Sequence, residues 1–343
     1  FPVMGPLYRL MHLVCTRELH ALVAAYALIG ALNVMLAHLV FRRVSRSERD
    51  AVFMTLIYGF SFSTWVYSSL FESYVFTALL TNAFLLVFLA GQRLPWLLLS
   101  LSEAALIALA ALAHPPMLIL AGVCAAREAT ASGRWAGRLK RATVTVLLVV
   151  AGYALLRLAI QHAYPPLPER LDWQRESNMS GMTAFASETI ARYARPDNLS
   201  LQNLGNVLVG QFAHAFGGFP LGYKWYKGWG SAFDYFDSAS GALFAVGWVL
   251  LWCLAFNALR SESRRFKSFS LGVSLLVLAP YLGFYWYFNP SEMLLYSAPL
   301  AGAILAWFGR ACQNTNPPVL SFVLAAVAVV TTLHNMMVIV SYH

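Results

Sequence analysis

Long apolar runs separated by short polar breaks set the pattern of this chain. A membrane-crossing helix needs about 20 apolar residues to traverse roughly 30 Å of hydrocarbon. Runs of that order cover residues 19–41, 51–70, 73–91, 95–113, 142–162, 241–260, 268–288, 292–309 and 317–340, and a shorter one covers 116–126. The pair Pro115-Pro116 removes two backbone donors and clashes with the preceding turn, so the helix over 95–113 should stop or kink at His114. These roughly ten hydrophobic segments predict an all-α, polytopic transmembrane helical bundle. One long, mostly polar stretch divides the chain into N-terminal helices (1–162), a loop region (163–240) and C-terminal helices (241–343). Within the loop, residues 201–222 are semi-apolar, Gly-rich and interrupted by Pro220, a pattern that predicts an interfacial or re-entrant segment.

Composition strengthens this picture. Of 343 residues, 59% are hydrophobic and 11% charged, with a mean hydropathy of +0.61, whereas a soluble domain carries about 25% charged residues. A water-soluble fold of this length could not hide so much apolar surface, so membrane lipids are its expected solvent. The net charge of +9 would suit nucleic acid, but its distribution argues against that partner. Fifteen of the 24 Lys and Arg fall in the short segments 42–50, 92–94, 127–141, 260–267 and 310–316, all on one side of the expected topology. The positive-inside rule makes those loops cytoplasmic and puts Phe1 and the 163–240 loop outside. Cys15, Cys124, Cys253 and Cys312 are far apart, which speaks against a disulfide frame or a metal site. The opening residues lack the basic and apolar regions of a secretory leader.

Ionisable groups inside or beside apolar spans are costly, so they are the first places to look for function. Glu72, in the turn Phe71-Glu72-Ser73-Tyr74, either binds a sugar hydroxyl, a cation or a phosphate-bound metal, or caps the next helix. Glu103 lies mid-span and requires a partner or a proton, with a structural pairing favoured over catalysis. His114 closes a site at the outer face or serves as a hydrogen-bonded helix end. Arg157, near the outer end of its span, either meets an anionic lipid phosphate through its forked guanidinium or snorkels to the headgroups. Lys224 and Lys227 alternate with aromatics in GYKWYKGW (222–229), a mixture that grips a phosphate and stacks on a sugar, or forms an interfacial belt. Asp234 and Asp237 are the most clustered outer carboxylates. They offer a base or a divalent-cation ligand, or are simply solvated. Glu292 follows Asn289-Pro290-Ser291 in another outer turn, a helix-start pattern on the same side as Glu72. No phosphate-binding P-loop, zinc-protease helix or nucleophile elbow occurs. No cofactor is implied beyond a divalent cation at the outer carboxylates.

Several short motifs taken together resemble the C-type membrane glycosyltransferases, the superfamily of protein O-mannosyltransferases and bacterial lipid A aminoarabinose transferases. Gly5-Pro6-Leu7-Tyr8 looks like the start of that superfamily's second helix, and the next span ends in Arg42-Arg43-Val44-Ser45-Arg46. Phe71-Glu72-Ser73-Tyr74 is similar to its acidic-then-Tyr turn, and Leu112-Ala113-His114-Pro115-Pro116 resembles its helix break. Tyr287-Phe288-Asn289-Pro290-Ser291-Glu292, followed by Leu294-Leu295-Tyr296-Ser297-Ala298-Pro299-Leu300, matches in style. The resemblance implies transfer of a sugar from a polyprenyl-phosphate donor to an extracytoplasmic acceptor, at a bacterial inner membrane. It also implies that the N-terminal helix and the loop carrying the catalytic Asp or Glu would precede Phe1, since Glu18 comes too late to match. Glu72, Tyr74, His114 and Glu292 would then line the outer cavity, and Arg157, Lys224 or Lys227 would meet the lipid phosphate. The competing expectation is a non-catalytic structural or accessory subunit of a larger membrane protein complex. A transporter would require more intramembrane charges than Glu103 and Arg157.

Overall fold

The computed structural model describes residues 18–69, 73–90, 94–130, 135–163, 194–209, 211–212, 216, 273, 277–288, 297–311 and 317–341. Every regular element among them is helical. In chain order they are α1 (Glu18–Val44), α2 (Glu48–Gly59), α3 (Phe62–Ser69), α4 (Tyr74–Ala90) and α5 (Trp96–Ala113). A 3₁₀ turn (Pro115–Leu120), α6 (Ala121–Thr130) and α7 (Trp135–Ala163) follow. A short 3₁₀ turn (Pro196–Asn198) precedes α8 (Leu201–Val209), α9 (Ala279–Phe288), α10 (Ala298–Ala311) and α11 (Pro317–Ser341). The span expected over 241–260 and most of the 163–240 loop lie outside the described residues.

Four stretches, His20–Val44, Trp96–Ala113, Trp135–Ile160 and Pro318–Met337, are each long and apolar enough to cross a membrane, and Tyr74–Ala90 is apolar but shorter. Their burial pattern is inverted relative to a water-soluble core. Leu147, Leu155 and Leu158 on α7 are exposed, as are Phe322 and Val340 on α11, while Asn33, Thr77, Thr81, Asn82, Ser100 and Glu103 are buried. Water would penalise so continuous an apolar surface, whereas lipid tails solvate it.

The 51–70 run is not the single helix its hydropathy predicts. α2 starts from the Ser47 cap, whose side chain accepts from the Asp50 N–H at 3.1 Å. It ends at Gly59, and α3 begins only at Phe62. The Ser61 hydroxyl donates to the Tyr58 carbonyl at 2.6 Å, competing with the helical ladder. A Gly and a Ser flanking one residue make a favourable place for such a break. Backbone exposed in an apolar span must be satisfied internally. Here the Asn335 amide of α11 donates to the Phe60 carbonyl at 2.6 Å and to the Phe216 carbonyl at 2.8 Å.

α10 is the hub. Its residues from Ala298 to Phe308 are buried on every side, and it packs against α4, α1 and α2. Small side chains permit that approach. A Cβ on Gly302 would stand 2.2 Å from the Asn82 Oδ1 atom of α4, so only glycine fits there. Asn82 in turn donates to Asn33 Oδ1 at 2.8 Å and to the Tyr58 hydroxyl at 3.1 Å, joining α4, α1 and α2 through one buried polar knot.

Candidate functional site

α5 ends where the two prolines require it to. The His114 N–H makes the last helical bond, to the Ala110 carbonyl at 2.8 Å, and the His114 carbonyl accepts from Met117 N–H at 2.9 Å to open the 3₁₀ turn. His114 itself is extended, with φ −152° and ψ 96°, as expected of a residue before proline.

The imidazole meets α9. Its Nε2 lies 2.9 Å from the Tyr285 hydroxyl and 3.3 Å from that of Tyr281, and the tautomer decides which group donates in each contact. Tyr281 and Tyr285 are one helical turn apart, which puts both rings on one face of α9. The His114 and Tyr285 rings are parallel within 2°, and Tyr74, the first residue of α4, presents an edge-to-face contact to His114 at 5.5 Å. Tyr281 and Tyr285 are each 1% exposed and His114 8%. The result is a desolvated imidazole–phenol cluster at the Tyr74 end of α4 and the Ala113 end of α5. It can share a proton between Nε2 and the phenol oxygens according to the tautomer.

A second polar assembly occupies the other half of α5. Glu103, fully buried, receives a bidentate pair from Arg127 of α6, with Nη1 on Oε1 and Nη2 on Oε2, the latter at 2.9 Å. Arg127 Nε also donates to Glu128 at 3.1 Å, and Arg141 of α7 completes the set by donating to Glu128 at 2.9 Å. Two cations and two anions are thus interleaved, and a Thr145–Ser100 contact of 3.2 Å extends the junction between α7 and α5. Because Arg127 lies 13 residues after His114 and Glu103 lies 11 before it, the ion pair shows that the chain folds back at the proline break.

Of the residues singled out by sequence, Tyr74 and His114 come together. Arg157 stands apart on α7, where its Nη1 donates to the Tyr153 hydroxyl at 2.9 Å. Glu72, Lys224, Lys227, Asp234, Asp237 and Glu292 lie outside the described residues. Sequence reading missed Tyr281 and Tyr285. The available signal was two tyrosines at i and i+4 in an apolar run, each with a hydroxyl that needs a partner once buried. Arg127 was read as a loop cation rather than as the partner that Glu103 requires. Among the described residues no group of three or more His, Cys, Asp or Glu is placed to hold a metal ion. No protein-family model, curated protein or solved structure matches the chain.

Proposed function

We propose that this chain is a membrane-embedded glycosyltransferase, or a degenerate relative of one, that takes its sugar from a polyprenyl-phosphate donor at the face opposite the basic loops. The observation that carries the reading is the meeting of Tyr74 and His114 with the tyrosines of α9. Tyr74 and His114, which belong to two of the short motifs that resemble the superfamily, meet there, and α9 carries the first two residues of a third. In this reading Glu72 and Glu292 are further substrate-binding carboxylates. Arg157, Lys224 or Lys227 neutralises the departing lipid phosphate, and an acidic side chain deprotonates the acceptor hydroxyl. The Asp234/Asp237 pair is a second place for an acid or a divalent cation. The positive-inside rule makes the basic loops cytoplasmic and the transfer extracytoplasmic.

The burial of Tyr281 and Tyr285 favours a second reading, a non-catalytic subunit in which the cluster only closes the helix break. The two separate in proteoliposomes containing the full-length protein and labelled polyprenyl-phosphate sugars. Under the enzyme reading, label reaches an acceptor and His114→Ala slows that transfer while the protein stays folded. Absence of transfer from every donor by a folded, full-length protein sinks the enzyme reading and leaves the subunit.

A further inference from the structure

α2 and α11 lie side by side, and between them runs an open apolar groove of about 340 Å³ lined by Phe53, Leu56, Phe60, Ala325, Val329 and Leu333. One turn beyond its end, towards the Arg42–Arg46 loop, Arg49 Nη2 donates to the Ser321 hydroxyl at 2.9 Å. Arg49, Phe53, Leu56 and Phe60 follow helical spacing along one stripe of α2. Ser321, Ala325 and Val329 do the same along α11. The Arg49–Ser321 contact therefore fixes the register of the two walls and caps the groove with a guanidinium.

We infer that this groove holds one acyl chain of an anionic glycerophospholipid, with its phosphate on Arg49. Three observations support that occupant. First, length: eleven residues separate Arg49 from Phe60, or about 16 Å at helical rise, close to half of a roughly 30 Å hydrocarbon layer. Arg49 and the groove together thus span one leaflet. Second, charge: Arg49 is exposed and makes no ion pair among the described residues, and Arg46, also exposed, stands three positions away. Asp50, 3% exposed, accepts from the same Ser321 hydroxyl at 2.5 Å and offsets part of this charge through that bridging group, while Arg46 adds a second exposed cation. Third, shape: Ala325 and Ala328 keep the α11 wall low where the α2 wall carries two phenylalanines, which leaves a chain-wide slot rather than a closed helix–helix seam. A planar, forked guanidinium pairs with the phosphate oxygens of a lipid, and a choline headgroup would add a like charge beside it, so a lipid with net negative charge is preferred.

The inference rests on the membrane setting but not on sugar transfer. Native mass spectrometry of the full-length protein, released from nanodiscs of equal phosphatidylglycerol and phosphatidylcholine, tests it. The wild type should retain one phosphatidylglycerol in preference to phosphatidylcholine. Arg49→Gln should lower that preference about fivefold, the effect of one interfacial cation, while Arg49→Lys keeps most of it. Ala325→Phe, which fills the slot, should abolish retention of either lipid with the unfolding temperature held. Equal retention of both lipids by the wild type, or unchanged preference in Arg49→Gln and Ala325→Phe, overturns the inference. Neither result bears on the transfer assay, so the two proposals fail separately.

Discussion

The two halves of α5 solve the same problem with opposite chemistry. Glu103 lies within α5 and His114 follows its last residue, eleven positions on, and each is a polar group in surroundings that penalise it. Glu103 is held as a charge, by a bidentate guanidinium and a second acid–base pair that make the set neutral as a whole. His114 is held by two phenols and a ring edge. The ionic half joins three helices at the end near the basic loops, where Arg141 still reaches water. The aromatic half joins α4, α5 and α9 where the backbone itself is interrupted. Buried charge specifies a partner sharply but is costly to break, whereas a phenol–imidazole contact tolerates loss of one member.

The largest effect that would separate the halves is on Arg127. Arg127→Leu leaves Glu103 buried without its cation and should destabilise the protein by about 3–5 kcal/mol, read as a fall in the unfolding temperature of purified protein. The double variant Glu103→Leu/Arg127→Leu should recover most of that loss, because an apolar pair removes the desolvation cost along with the attraction. A double variant as unstable as the single one would show that the junction depends on charge itself. At the other half, Tyr285→Phe removes one neutral hydrogen bond and should cost about 1 kcal/mol. Tyr281→Phe, at the longer contact, should cost less, and a cost for Tyr285→Phe equal to that for Arg127→Leu would erase the contrast. The smallest effect is expected at the exposed margin of the ionic set. Arg141→Gln should cost under about 1 kcal/mol and should shrink further in molar salt, where screening acts within a few ångströms. An Arg141 effect insensitive to salt would place that pair inside rather than at the edge.

Much of the architecture could be read from the apolar runs. The bilayer imposes a one-dimensional length requirement, and the helices at 20–44, 96–113, 135–160 and 318–337 satisfy it. The stop at His114 was legible as well, because proline acts on its own chain neighbours. The break at Phe60 was not read from hydropathy, although Gly59 and Ser61 mark the place. An apolar run has the same hydropathy whether or not its ladder is continuous, and the Asn335 amide that recaps it lies 275 residues away.

The sequence by itself determined that the chain is helical and overwhelmingly apolar, where its cations gather, and that Glu103 and His114 each need a partner. Those are properties of composition, spacing and local sterics. Only the tertiary structure decided who the partners are: Arg127 for Glu103, Tyr285 and Tyr281 for His114, and Gly302 as a close backbone neighbour of Asn82. Partner choice depends on which helix faces meet, and that is set by close packing of small residues around α10, a property of several segments at once.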